Sequence, residues 1–362
     1  MDNRVLKCVG RPAQPDRLYP RLAMSRVQSA TTGILPGRFP CFGLPLMLLV
    51  VALFMSALSC YKTGLLVESQ DQETQQVMPL AGNMRPDAMS RKQRDVSFGD
   101  SQFSSFSVHS SRELIDQLKE FKLWDGIQED VPPVLFNNFP ADLGQINVEG
   151  RKKVFVHALL PSIMIVRAEV MQERQELLNI LDELGGPDDL NFSPGAAGWQ
   201  EGISQGQISF IIGLCRKYRT RSSAELLTRV NVLPTSIMLA QAAIESSWGS
   251  SRFSTQANNL FGMWTWGQKG LVPAQRDAGK THKIAIYDSI LDSVRSYLLT
   301  INRVGAYAGL RRIRNQTMNP DAIVEGLINY SQRKEYYVTA LKELIKHNNL
   351  GDYDKCRLAD AG

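Results

Sequence analysis

The 362-residue sequence predicts a mainly α-helical (α+β) domain with one small β-hairpin lobe, preceded by an N-terminal membrane segment and a disordered tether. Three observations support this prediction. Beyond residue 130, apolar residues recur at three- and four-residue steps, which is the period of an amphipathic helix. Within that part, residues 263–287 alone have the composition of strands, with Gly and Pro as turn residues. Near the N-terminus, one continuous apolar run precedes a long polar stretch.

The apolar run covers residues 39–61, which are 23 residues without a charged side chain. A helix rises about 1.5 Å per residue and needs roughly 20 apolar residues to cross a bilayer. The preceding region, residues 1–38, is basic, and acidic residues follow the run, so the positive-inside rule places the N-terminus in the cytoplasm. The run is therefore predicted to be a signal anchor that leaves the following chain outside the cytoplasm, which in a bacterial envelope would be the periplasmic face of the inner membrane.

Two alternatives to the anchor remain open. A cleaved signal peptide would export the domain or, because Ala57-Leu-Ser-Cys60 resembles a lipoprotein cleavage site, leave it lipid-anchored. A buried core helix with the same composition is the second alternative.

The tether is predicted at residues 62–129 and to be largely disordered, because Gln, Ser, Asp and Met dominate much of it without a lasting period. Within it, Ser110-Ser-Arg-Glu113 has the pattern of a capping box and predicts one short helix. The globular domain is predicted at 130–350 and a C-terminal tail at 351–362. Further helices are expected at 152–184 (a pair bent or broken at Pro161), 206–218, 222–230, 320–330 and 335–350.

The charge and the pattern of Cys and His residues exclude several classes of function. The net charge of +5 comes from the N-terminal region, so no nucleic-acid surface is predicted. The five Cys and four His residues lack metal-ligand spacing, and we expect neither a metal site nor a cofactor. A Cys215–Cys356 disulfide is compatible with export, but the spacing does not establish it.

One predicted helix carries a buried carboxylate. Residues 234–249 begin with Pro, end with Gly and are apolar almost all round, so the helix should be buried. Gln241 and Glu245 are the exceptions, and their i,i+4 spacing places them on one face. Burial and the C-terminal end of the helix dipole both disfavour the anion, so the pKa of Glu245 should rise, as a general acid for glycoside cleavage requires. The alternative is a core ion pair between Glu245 and an Arg or Lys.

The segments after this helix resemble the glucosaminidase family of bacterial cell-wall hydrolases (glycoside hydrolase family 73), and in particular its Bax-like subgroup. The resemblance rests on Glu245-Ser-Ser-Trp-Gly249 followed by Asn258-Asn-Leu-Phe-Gly262, and on Ile328-Asn-Tyr-Ser331. It covers roughly residues 130–350 and implies a lysozyme-like fold. It also implies a peptidoglycan hydrolase, an endo-β-N-acetylglucosaminidase that cleaves β-1,4 bonds of glycan strands with a single general-acid glutamate.

The resemblance assigns roles to individual residues. Glu245 is the expected general acid and Tyr330 the expected functional tyrosine. Asp277 is a weak candidate for a second catalytic acid, and without it the acetamido group of the substrate could be the nucleophile. The predicted substrate-binding residues are Gln241, Trp248, Asn258, Asn259, Phe261 and Tyr336. Core packing of Trp248 and Phe261, and turn-capping by the two asparagines, remain alternatives.

Two other functions remain open. A lone glutamate also suits a lytic transglycosylase, and a weak second acid suits a peptidoglycan-binding module with little activity. In every case the predicted partners are glycan strands and, through the N-terminal segment, the membrane.

Overall fold

The computed structural model describes residues 96–98, 101–126, 128–186, 189–196, 198–265, 267, 269–273 and 281–359. The basic region 1–38 and the apolar run 39–61 lie outside the described residues, and so does Asp277. The N-terminal membrane segment therefore stays a prediction.

Helices dominate the described part of the chain, which confirms the mainly α prediction. Ten α-helices lie within it: α1 (Ser111–Glu120), α2 (Val148–Glu183), α3 (Gln205–Tyr218), α4 (Ser223–Arg229), α5 (Thr235–Ser246), α6 (Arg252–Ala257), α7 (Ile290–Arg303), α8 (Ala308–Gln316), α9 (Pro320–Glu325) and α10 (Glu335–His347). Short 3-10 helices occupy Ala141–Gln145, Gly305–Tyr307 and Leu350–Lys355.

Within the same described residues, short strands form three small sheets. The strands are β1 (Val96–Phe98), β2 (Ser101–Phe106), β3 (Asp130–Val131), β4 (Val134–Phe136), β5 (Trp264–Thr265), β6 (Lys283–Ile284) and β7 (Arg357–Leu358). The antiparallel pair β5–β6 is the predicted hairpin lobe, with Trp264 opposite Ile284. The sheet β1-β2-β4 and the parallel pair β3–β7 were not predicted, because strands of two to six residues leave little alternation to detect.

The predicted start of the domain at residue 130 is wrong. Phe103, Val108, Leu114 and Leu118 are buried in the same core as the later helices, and β2 pairs with β4 in parallel. The short helix predicted within the tether is confirmed as α1. The Ser110 hydroxyl accepts from the backbone N–H of Glu113 at 3.2 Å, while the Glu113 carboxylate accepts from His109 N–H at 2.7 Å. The domain therefore includes much of the predicted tether.

The predicted C-terminal tail is also part of the domain. Tyr353 and Cys356 are buried, and β7 pairs with β3. The carboxylate of Asp354 accepts from both the N–H and the hydroxyl of Ser236, each at 2.7 Å. Because Pro234 at the N-cap of α5 makes no side-chain capping bond, Asp354 takes that role from the far end of the domain.

Helix α2 corrects the prediction of two shorter helices. It runs for 36 residues with Pro161 inside it, and residues 154–166 are buried on all sides. Close packing around the helix offsets the backbone hydrogen bond that proline removes. Among the described helices, α2 is long and apolar enough to span a bilayer, but most of its apolar stretch is buried within the domain. The suggested disulfide is absent, since Cys215 and Cys356 are both free thiols.

Other helix boundaries differ from the prediction. The helix expected at 320–330 ends at Glu325, and the one expected at 335–350 ends at His347 before a 3-10 turn. Helices α6, α7 and α8 were not predicted at all.

Burial of α1 makes a testable prediction. Leu118 is fully buried, so Leu118→Ala should lower the free energy of unfolding by about 2–5 kcal/mol, measured by urea denaturation of the domain. The matched control is Glu120→Ala on the exposed side of the same helix, which should change it by less than about 0.5 kcal/mol. Equal, negligible effects of the two changes would mean that this segment is a tether after all.

Candidate active site

Helix α5 lies in the centre of the domain and confirms the helix predicted at 234–249. It packs against α2, α10 and the 3-10 turn Leu350–Lys355, and residues 235–243 are all buried. Glu245 is the second-last residue of the helix and is half-buried. The carboxylate therefore lies at the C-terminal end of a buried helix, where the helix dipole disfavours negative charge.

The chain leaves α5 by a turn of three left-handed residues. Ser247, Trp248 and Gly249 have φ angles of 52°, 57° and 77°. A Cβ atom on Gly249 would lie 2.9 Å from the Phe155 ring, so no larger residue fits there. The Ser246 hydroxyl closes the turn, since it accepts from Gly249 N–H at 2.8 Å and donates to the Ala242 carbonyl.

A chain of side-chain hydrogen bonds ends at Glu245. The Tyr297 hydroxyl donates to Oε1 of Gln241, and Nε2 of Gln241 donates to the Tyr337 hydroxyl oxygen at 3.2 Å. The Tyr337 hydroxyl in turn donates to Oε1 of Glu245 at 3.0 Å. Each of these phenols has one proton, so the orientation of the Gln241 amide decides that the proton of Tyr337 points at Glu245.

The second carboxylate oxygen of Glu245 faces the backbone of a loop. Gly262 has a φ of 64°, and a Cβ atom on it would lie 3.3 Å from Oε2 of Glu245. A side chain at this position would therefore strain the backbone and crowd the carboxylate. Asn259 fixes this loop through its side-chain amide. The amide oxygen accepts from Met263 N–H, and the amide nitrogen donates to the carbonyls of Met263 and Ala285.

Aromatic rings surround this hydrogen-bond chain. Tyr330 stacks on Tyr337 with centroids 5.6 Å apart, and its hydroxyl donates to the Phe261 carbonyl at 2.8 Å. Phe261 stacks on Tyr297 at 4.0 Å. Burial, and then the neighbouring Glu245 carboxylate, hold the pKa of Tyr337 far above its usual range, so this phenol stays a proton donor.

The pKa of Glu245 is raised above that of an exposed glutamate. Burial is the dominant cause, because a carboxylate loses hydration there. The hydrogen bond from Tyr337 and the positive charge of Arg333 both favour the anion and oppose part of the shift. This direction matches the prediction made from the position of Glu245 on an apolar helix.

The part of the chain that contains Glu245 is similar to known proteins. Residues 221–350 match the family model named Glucosaminidase, described as mannosyl-glycoprotein endo-beta-N-acetylglucosaminidase. This part of the chain, which contains Glu245, is therefore similar to that family. It is also similar to Protein bax from Escherichia coli strain K12, with 26% identity over 212 residues that cover 55% of this chain and 70% of that protein.

Among solved structures, the chain is similar to the catalytic domain of the autolysin Auto from Listeria monocytogenes. The sequence identity is 24%, the overlap covers 40% of this chain and 80% of that one, and the TM-score is 0.28. The lysozyme-like part of the fold prediction therefore stays a prediction, while the resemblance to the glucosaminidase family and its Bax-like subgroup is confirmed.

The glucosaminidase-family motifs come together in the structure, but several of their side chains do not face solvent. Gln241, Asn259 and Phe261 are at most 1% exposed, so they cannot contact a glycan directly, contrary to the prediction. They instead hold the hydrogen-bond chain and the loop at Gly262. Asn258 ends α6 in a left-handed conformation and donates to the Tyr287 carbonyl, which is the turn-capping alternative.

The remaining predicted residues have different surroundings in the structure. Trp248 packs edge-on against Phe155, with the Lys152 ammonium 5.5 Å from its ring centroid. Tyr336 is 71% exposed and is available to a ligand, in contrast to its neighbour Tyr337. Asp277 lies outside the described residues, so its role as a second acid is untested.

Four residues at the site were not predicted from the sequence, namely Tyr337, Tyr297, Gly262 and Arg333. A signal for Tyr337 was present, because Tyr337, Leu341 and Ile345 recur at four-residue steps and form the buried face of α10. That period places Tyr336 on the opposite, exposed face. No comparable local pattern identified Arg333, which acts from an exposed loop.

Removing the Tyr337 hydroxyl tests whether its hydrogen bond lowers the pKa of Glu245. Tyr337→Phe removes a hydrogen bond that favours the Glu245 anion, so the pKa of Glu245 should rise further. The measurement is an NMR titration of the side-chain carboxyl carbon of Glu245. Tyr353→Phe is the control, because it removes a phenol hydroxyl from His157 instead, 3.0 Å away, and should leave that titration unchanged. An unshifted or lowered pKa in Tyr337→Phe would contradict this expectation.

Proposed function

We propose that this domain is a peptidoglycan hydrolase, an endo-β-N-acetylglucosaminidase that cleaves β-1,4 glycosidic bonds with Glu245 as the general acid. The observation that supports it most is the asymmetric environment of the Glu245 carboxylate. Oε1 accepts from Tyr337, whereas Oε2 faces the Gly262 backbone, where a side chain is absent. The glucosaminidase-family match over residues 221–350 supports the substrate class.

The proposed first step is proton transfer from Glu245. With Oε1 accepting from Tyr337, the acidic proton resides on Oε2 and passes to the glycosidic oxygen as the bond from that oxygen to C1 breaks. The raised pKa of Glu245 keeps part of the population protonated at higher pH than for an exposed glutamate. The hydrogen bond from Tyr337 then stabilises the carboxylate that is left behind.

The second step completes hydrolysis. Water adds its hydroxyl group to C1 and gives its remaining proton to the Glu245 carboxylate, which regenerates the general acid. Asp277 or the acetamido oxygen of the substrate would stabilise positive charge at C1 before water arrives. Among the described residues, Arg333 is the charged side chain that acts on the pKa of Glu245, and its positive charge favours the carboxylate left after proton transfer.

Exposed aromatic rings near the predicted hairpin lobe would bind the glycan. Trp264 on β5 is half exposed and stacks on His282 with centroids 4.2 Å apart. Tyr336 on α10 is a second exposed ring among the described residues. Flat apolar rings of this kind contact the apolar faces of sugar rings, so both are proposed as binding surfaces.

Tyr330 has a positioning role in this proposal. Its hydroxyl donates to the carbonyl of Phe261, the residue before Gly262, and so fixes the loop beside Oε2 of Glu245. We expect Tyr330→Phe to lower the rate of glycan cleavage by roughly tenfold, about the effect of one lost buried hydrogen bond, while the pKa of Glu245 shifts less than in Tyr337→Phe. Turbidity loss of purified sacculi reports the rate, and a variant with full activity would remove Tyr330 from the mechanism.

The decisive experiment is Glu245→Gln. The amide keeps the shape of the side chain but donates no acidic proton, so cleavage of purified sacculi should fall by about 10² to 10⁴. Thermal stability should hold or rise at neutral pH. The raised pKa means that the folded state loses stability as pH rises past the pKa of Glu245, and glutamine removes that loss.

The control for this experiment is Glu343→Gln on the exposed side of α10, which should change neither activity nor stability. A Glu245→Gln variant that unfolds early would instead favour the core ion-pair alternative. A variant that still cleaves glycan would exclude Glu245 as the general acid.

A lytic transglycosylase is the second candidate, because the Glu245 carboxyl with its raised pKa and its bond to Tyr337 can serve as the general acid of that reaction as well. In that reaction the C6 hydroxyl of the sugar attacks C1 in place of water and gives an anhydro-sugar end. Mass spectrometry of sacculus digests separates the two, because the hydrolytic product is heavier by one water. An envelope location, with the domain anchored through residues 39–61, is part of the proposal.

A further inference from the structure

A cavity lies away from α5, between the segments 189–196 and 198–200 and the C-terminal end of α3. Its volume is about 490 Å³. Phe192 and Trp199 form an apolar wall, with their rings in edge contact at 5.1 Å. Three arginines, Arg216, Arg219 and Arg221, line the same cavity.

These three guanidinium groups lack an ion-pair partner within the described residues. All three side chains are exposed, and none takes part in a salt bridge with a described carboxylate. Asp189, which lies nearby in the loop, accepts instead from the Ser222 hydroxyl at 2.7 Å. Other arginines of the domain behave differently, since Arg229 and Arg295 are both paired with carboxylates.

Backbone conformation sets one of these arginines apart. Arg219 ends α3 with φ 55° and ψ 49°, a left-handed conformation that usually selects glycine at the end of a helix. An L-residue with a long side chain is uncommon there and costs conformational energy. The guanidinium of Arg219 also lies close enough to Arg303 to lower the pKa of that second arginine, whose burial is the larger cause. Positive charge is therefore concentrated at this end of α3.

The other cavity groups are neutral. Burial raises the pKa of the Cys215 thiol to about 11, so this wall residue carries no compensating charge at neutral pH. The indole N–H of Trp199 is buried without a hydrogen-bond partner among the described residues, which leaves an unused donor in the wall. The cavity thus combines an apolar wall with a rim of three positive charges.

We propose that this cavity binds a phosphomonoester whose organic part is an aromatic or apolar group. A phosphomonoester carries nearly two negative charges at neutral pH and three acceptor oxygens, which suits several guanidinium forks. A carboxylate has one charge and two oxygens and would leave the rim poorly neutralised. The organic group would enter the cavity against the parts of Phe192 and Trp199 that line it, since both residues are only 3% exposed. This site is independent of the reaction proposed at Glu245.

Isothermal titration calorimetry with phenyl phosphate tests the ligand class. Phenyl phosphate should bind more tightly than inorganic phosphate, which lacks the ring, and more tightly than benzoate, which lacks the second charge. Binding should weaken as salt is raised, because the guanidinium groups are exposed. Equal affinity for benzoate and phenyl phosphate, or no binding at millimolar concentration, would overturn the proposal.

Arg219→Gly separates the effect of the guanidinium on binding from any effect on stability. Glycine is favoured at the left-handed position, so the melting temperature should hold or rise while the affinity for phenyl phosphate falls roughly tenfold. Arg221→Gln should have a similar effect on affinity. The matched control is Arg312→Gln, an exposed arginine on α8 outside the cavity, which should bind normally. If the control loses as much affinity as Arg219→Gly, binding is non-specific attraction to the charged surface and the proposal is wrong.

Discussion

Helix α5 is buried on almost every side, so the polar groups on it must find hydrogen-bond partners within the protein. Distant segments supply those partners. Asp354 accepts from the first turn, Tyr297 and Tyr337 bond Gln241 in the middle, and Tyr337 bonds Glu245 near the end. The position and the charge state of Glu245 therefore depend on packing that involves α7, α10 and the C-terminal 3-10 turn, and not on the helix alone.

This dependence explains which parts of the site the sequence predicts. Helix α5 is predictable because its signals are local: a proline before it, glycine after it and an i,i+4 pair of polar residues on an apolar surface. The partners of those polar residues are 56 to 96 positions away along the chain. Spacing carries no information about such contacts, so the hydrogen-bond chain to Glu245 could not be predicted, although the raised pKa of Glu245 could.

The same reasoning applies to the limits of the domain. The segment before residue 130 is rich in Ser and Gln, which is typical of a tether, yet Phe103 and Leu118 provide enough buried apolar surface to hold it on the core. The family match ends at residue 350, whereas Asp354, which caps α5, lies beyond it. A family boundary thus marks the extent of sequence similarity, while the packed body extends further at both ends.

The parallel pairing of β3 with β7 has a consequence for synthesis. Asp130 and Arg357 form an ion pair at 2.6 Å across a separation of 227 residues. A chain that emerges from the ribosome or a translocation channel with its N-terminus first exposes β3 long before β7 is available. Contacts of such long sequence separation slow folding, because the loop must be ordered before they form. The domain therefore cannot form this pairing, or bury Tyr353 and Cys356, until the chain up to residue 357 has emerged.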